Sequence, residues 1–254
     1  MEGRLGQQLD VALTAAGGLT DLIINARKGS PVGHDITLKA ADGFELGGYR
    51  ADPAGTPKAA IVVIQEIFGV NHHIRNVCDR LAAEGYVALA PSIFDRSERN
   101  FQSGYSPDEI AVARKFVANP DWPAMLRDTQ AAIDAVSSIG PVGIIGFCLG
   151  GSVAYAAATK LHGLKAAVGY YGGAIVRFAD DKPLVPTQLH FGEKDSGIPL
   201  SDVDAIRTKR PEVEILVYPG AQHGFGCDER ASYDKPSSDL AWQRSLAFFA
   251  AHLK

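Results

Sequence analysis

Six short apolar runs constrain this chain more than any other feature. They are AAIVVIQ (59–65), YVALAP (86–91), VGIIGF (142–147), AAVGYY (166–171), VPTQLHF (185–191) and VEILVYP (213–219). Runs of this kind, rich in β-branched residues, suit strands buried on both faces, as in a parallel sheet covered by helices. Helical spacing fills the intervals between most of them. Ile74, Val77, Cys78, Leu81 and Ala82 recur on one helix face, and so do Leu126, Ile133 and Val136. Val153, Ala154, Ala157, Ala158 and Leu161 mark a third helix, and Trp242, Leu246, Phe249 and Leu253 mark a last one. Alternation of this sort predicts an α/β architecture with helices on both faces of a mostly parallel sheet. Two further segments, HDITLKA (34–40) and ELGGYRA (45–51), flank an Asp-Gly turn and predict an antiparallel hairpin, for eight strands in all.

The chain is expected to form one such domain over 31–254, preceded by an arm over 1–30. Its 46% apolar share is that of a soluble globular chain, and a net charge of −4 without a Lys/Arg run gives a nucleic acid nothing to hold. No apolar run approaches the ~18 residues needed to span a bilayer. The N-terminal stretch carries acids and lacks the pattern of a secretory signal. Three scattered cysteines form no CxxC pair, which fits reduced thiols and a cytoplasmic setting. The segment between strands four and five, about 92–122, is long, and such an insertion is where an open α/β fold builds pocket walls.

Chemistry concentrates at strand ends. Cys148 sits in GFCLG (146–150), a G-x-S-x-G pattern with sulfur in place of oxygen, directly between a strand and a helix. That turn holds a nucleophile in a sharp bend, at a helix N-terminus that favours a thiolate. Asp195 follows the seventh strand and His223 the eighth. Nucleophile, acid, histidine is the chain order of α/β hydrolases. Parallel strands bring those ends to one rim, where the imidazole would keep the thiol ionised and the carboxylate would fix its tautomer. Glu66 follows the third strand, where a carboxylate is costly unless it is paired, hydrated or protonated. The N–H groups of Ile67 and Leu149 fall where an oxyanion would be held.

Together QEIFGVN (65–71), GYVALAPSIF (85–94), VGIIGFCLGG (143–151), AAVGYYGG (166–173), the Asp195 loop and AQHGF (221–225) resemble the dienelactone hydrolase family of α/β hydrolases, over roughly 35–253. The resemblance implies an α/β-hydrolase fold and a cysteine-dependent hydrolase of a lactone or carboxylic ester, working through a thioester acyl-enzyme. It implies Cys148 as nucleophile, Asp195 and His223 as its partners, and Glu66 as a buried glutamate that holds the resting thiol and helps to deprotonate it. Dienelactone hydrolases proper clasp a substrate carboxylate with arginines, one shortly after the histidine. Here Cys227 stands at that place and the nearest arginine is Arg230. Arg96, Arg99 and Arg114 in the insertion are alternative anchors, and Tyr171 and Phe225 are candidate pocket residues.

The expected partner is a small ester or lactone, with no nucleic acid, no membrane, no cofactor and no metal, in a monomer or homodimer. Two alternatives use the same thiol: hydrolysis of thioesters or other acyl substrates, and a redox sensor pairing Cys148 with Cys227. A non-catalytic binding module is a third. Cys78 falls on a core helix face, and the adjacent His72 and His73 should point different ways at a helix start.

Overall fold

A computed structural model of the chain describes residues 33–254; the arm expected over 1–30 lies outside the described residues. All eight expected strands are present: β1 His34–Lys39, β2 Glu45–Ala51, β3 Ala60–Ile64, β4 Val87–Pro91, β5 Val142–Phe147, β6 Leu164–Tyr170, β7 Thr187–Gly192 and β8 Glu214–Tyr218. They form one sheet in the order β1-β2-β4-β3-β5-β6-β7-β8. β2 is antiparallel to both β1 and β4, and every pairing from β4 to β8 is parallel. This is the α/β-hydrolase fold, an eight-stranded mostly parallel sheet.

Among the described residues the helices are α1 His72–Ala83, α2 Pro107–Ala113, α3 Trp122–Val136, α4 Leu149–Lys160, α5 Ile175–Phe178, α6 Leu200–Lys209 and α7 Lys235–His252. Local chemistry sets their starts. The Asn71 side chain accepts the Ile74 N–H and caps α1, and Asp121 caps α3 through the Ala124 N–H. The 92–122 insertion folds as α2, opened by a Ser106–Glu109 capping box, and a 3-10 turn over Arg114–Val117.

Strand side chains alternate between two cores. Ile61 and Val63 join one with Ile74, Val77 and Leu81 of α1 and Phe249 of α7. Ala60, Val62 and Ile64 join the other with Ile133 and Val136 of α3 and Val153 and Ala157 of α4. Each fully buried aliphatic side chain contributes about 1.5–3 kcal/mol. The face expected for α7 is shifted: Ala241, Ser245 and Phe249 are buried, while Trp242 and Leu246 are only half-buried. Ser245 belongs inside because its hydroxyl meets Tyr170 Oη at 2.7 Å and His190 Nε2 at 3.1 Å. Among the described residues no helix is long and apolar enough to cross a membrane.

Candidate active site

Register decides what meets at the rim. Ile64 of β3 pairs with Gly146 of β5, so Glu66 and Cys148, each two residues further on, leave the sheet side by side. Phe147 pairs with Tyr170 of β6, which sets Tyr171 next to Cys148. At Cys148 the chain turns with φ 55° and ψ −115°, and its N–H donates to the Tyr170 carbonyl at 3.0 Å. A non-glycine residue in this region stores about 1–3 kcal/mol of backbone strain. The flanking glycines make the bend possible. A Cβ on Gly146 would lie 1.9 Å from the Gly150 carbonyl oxygen, and one on Gly150 would lie 2.3 Å from that of Ile64. Helix α4 therefore starts tight against the end of β3.

The loops after β7 and β8 complete the array. His223 Nε2 lies 3.2 Å from Cys148 Sγ, and its Nδ1 lies 2.7 Å from Asp195 Oδ2. The Gly197 N–H donates to the other Asp195 oxygen at 2.8 Å, and the Ser232 hydroxyl donates to the His223 carbonyl at 2.6 Å. Burial disfavours a charge on His223, but its interactions with Cys148 and Asp195 outweigh it and raise the imidazole pKa. The arrangement sets one imidazole between a carboxylate and a sulfur, each within hydrogen-bond reach of a ring nitrogen.

Cys148 and His223 open into a cleft of about 390 Å³. Ile67 and Leu149 border it, and Leu149 begins α4, where an N–H has no intrahelical partner. The insertion supplies Val117, Ala118 and Pro120 to its wall, beside Trp122. Arg177 of α5 lines it too, exposed and without an ion pair among the described residues. Arg177 escapes sequence reading because α5 is four residues long and shows no periodicity.

Glu66 is 1% exposed and is paired, as its position requires. Arg230 Nη1 donates to Oε1 at 3.1 Å, and Tyr105 of the insertion points its hydroxyl at Oε2 from 3.5 Å. Asn71 Nδ2 donates to that hydroxyl at 3.0 Å. Cys227 is fully buried nearby; burial and the Glu66 charge push its thiol up to about 12.

The remaining candidates divide. Tyr171 is buried at φ 38°, with its ring 5.1 Å from that of His223. Phe225 is buried against Tyr171 and Tyr218, behind the histidine loop. Arg96 spends its guanidinium on Asp128 and Asp42, and Arg99 lines a separate cavity beside β1 and β2. Arg114 is exposed at the start of the 3-10 turn. His72 and His73 do diverge: His72 is exposed beside Glu229 and His73 is buried.

The model of the dienelactone hydrolase family matches residues 46–253. A "Putative carboxymethylenebutenolidase" of Synechocystis is 37% identical over 231 residues, covering 83% of this chain and 94% of the relative. One of Escherichia coli K12 with the same description is 34% identical over 244 residues, 84% of this chain and 85% of the relative. The crystal structure of a "Putative Dienelactone Hydrolase" from Klebsiella pneumoniae superposes with a TM-score of 0.77 at 32% identity, over 87% of this chain and 100% of that one. On its sheet order, on the family match across most of its length and on these relatives, the chain belongs to the dienelactone hydrolase family and is a hydrolase of ester or lactone bonds.

Proposed function

We propose that Cys148 is the nucleophile of this hydrolase and that the reaction passes through a thioester on its sulfur. The observation that carries this reading is the continuous chain Sγ–Nε2 at 3.2 Å and Nδ1–Oδ2 at 2.7 Å, open to a cleft. The thiolate attacks the carbonyl carbon, and the carbonyl π electrons move to oxygen. The N–H groups of Ile67 and Leu149 hold that oxyanion. Collapse breaks the ester C–O bond, and the departing alkoxide takes the proton of the His223 imidazolium. His223, now neutral, removes a proton from water as the water attacks the thioester. The second collapse frees the acid and returns the thiolate, with the proton on His223. Asp195 holds the ring in place and balances its charge throughout.

Glu66 pairs with Arg230, while the thiol is held by His223, and that pair is the resting arrangement of the glutamate. Arg177 is the anchor for an anionic group of the substrate, because it is a cation without an ion pair among the described residues, in the same cleft as the sulfur. A small ester or lactone bearing a carboxylate is thus the substrate class favoured here. Replacement Cys148→Ala tests the reading. Hydrolysis of a nitrophenyl ester should fall by about 10³-fold or more, in line with loss of a triad member elsewhere. The wild-type protein quenched in acid should carry one acyl group on the Cys148 peptide. Retained activity in the variant, or an acyl group elsewhere, overturns the assignment.

A further inference from the structure

Glu66 of the Glu66–Arg230 pair also belongs to a second group of chemically active side chains, and hydrolysis does not account for the other two, His73 and Cys227. Glu66 comes from the loop after β3, His73 from the first turn of α1 and Cys227 from the loop after β8. A carboxylate oxygen, an imidazole nitrogen and the sulfur of these three lie within 4.8 Å of one another. All three residues are buried, at 1%, 2% and 0% exposure.

His73 is the telling member. Neither ring nitrogen has a hydrogen-bond partner. The nearest acid to Nδ1 beyond the cluster is Asp228, 3.7 Å away and half-exposed. The ring packs edge-on against Phe147 at 5.9 Å, a contact that an apolar ring would make as well. A buried polar group left without a partner costs about 1–3 kcal/mol. An imidazole placed so, facing a thiol and a carboxylate, is placed as a ligand.

We propose that Glu66, His73 and Cys227 bind a divalent transition-metal ion of the zinc class. The donor set decides the class. One sulfur and one imidazole nitrogen suit zinc, cobalt or nickel, whereas magnesium and calcium take oxygen ligands. A dication against one carboxylate and one thiolate, with the Arg230 guanidinium that stays beside Glu66, leaves a single net positive charge at the site. Binding forms a metal–sulfur bond, and the thiol proton leaves to solvent, with no change of oxidation state. Three protein ligands leave a fourth tetrahedral position open to water. Sequence spacing hid the site because its ligands come from three separate segments.

The test uses Cys148→Ala protein, which removes the competing sulfur beside His223. Cobalt(II) should bind at one equivalent and give thiolate-to-cobalt charge-transfer absorption, and zinc(II) should displace it. Cys227→Ser in the same background should abolish the band. His73→Phe, which keeps the packing on Phe147, should weaken binding by about tenfold or more. X-ray absorption of the zinc-loaded Cys148→Ala protein needs no further variant; it should show one sulfur near ~2.3 Å with nitrogen and oxygen neighbours. A metal shell without sulfur, a band that survives Cys227→Ser, or binding seen only when Cys148 is present overturns the proposal. None of these readouts depends on hydrolysis, so the site and the cysteine mechanism stand or fall separately.

Discussion

Arg230 and Glu66 illustrate how one residue makes another tenable. A carboxyl group at 1% exposure is tenable because a guanidinium lies 3.1 Å away. Removing one partner of a buried ion pair leaves an uncompensated charge, at a cost of about 3–5 kcal/mol. Arg230→Met in metal-free buffer should therefore lower the melting temperature by roughly 10 °C. Adding Glu66→Gln should restore most of that loss, since a neutral amide needs no counter-charge. A single Arg230→Met variant as stable as the wild type would show that the Glu66–Arg230 pair does not hold the fold. Arg177 predicts the opposite kind of effect, on binding with no loss of stability. Its side chain is exposed in the cleft, and a hydrogen bond to a charged group contributes about 1.5–3 kcal/mol. Arg177→Gln should raise KM about tenfold for an ester bearing a carboxylate and leave an uncharged ester unaffected. Equal loss on both esters would remove Arg177 from substrate recognition.

The elements around β7 are joined by a polar seam inside the core. His190 Nδ1 meets Tyr218 Oη of β8 at 2.8 Å, and Nε2 meets Gln188 Oε1 at 2.9 Å and the Ser245 hydroxyl of α7 at 3.1 Å. Burial, then the charge of Arg244, pushes the His190 pKa down to about 3. The sign follows from proton counting. Between the ordinary value of 6.5 and about 3, the unfolded chain takes up a proton that the native imidazole refuses. Stability should thus fall as pH drops through that window, by on the order of 1 kcal/mol per pH unit, and stay level in this respect above it. Urea midpoints from pH 7.5 down to the acid limit check this; His190→Gln should be less stable at pH 7 and lose less on acidification. A wild type and a variant with the same acid slope would exclude His190 as the cause. Strands such as β3 and β5 were legible in the sequence because burial on both faces writes itself as unbroken apolar runs. Cys148, Asp195 and His223 were legible because each lies a few residues past such a run. The seam was not: Ser245 reads as polar surface until its partners on β6 and β7 are known. Arg177 on its four-residue helix and Tyr105 in the insertion were hidden for a related reason, since tertiary contacts and not local pattern place them.

Across the whole molecule the fold sorts three identical thiols into three environments. Cys148 stands at the strand-end rim, half-exposed and bonded to an imidazole. Cys78 is sealed on the inner face of α1, and Cys227 is buried within the β8 to α7 loop, both at 0% exposure. Burial pushes the pKa of both sealed thiols upward, and a protonated thiol is a poor nucleophile. Alkylation by iodoacetamide under native conditions should therefore stop at one adduct, on Cys148, while unfolding should release all three. The slow addition to Cys78 then measures opening of a sheet-packed helix, and that to Cys227 measures opening of the loop that also carries Arg230. His223→Ala should slow the fast phase, since it removes the hydrogen-bond partner of the Cys148 sulfur, and should leave the two slow phases unchanged. Adducts forming on Cys227 as fast as on Cys148 would mean that this loop opens on its own, and the shielding of the Glu66 pair from water would have to be abandoned with it.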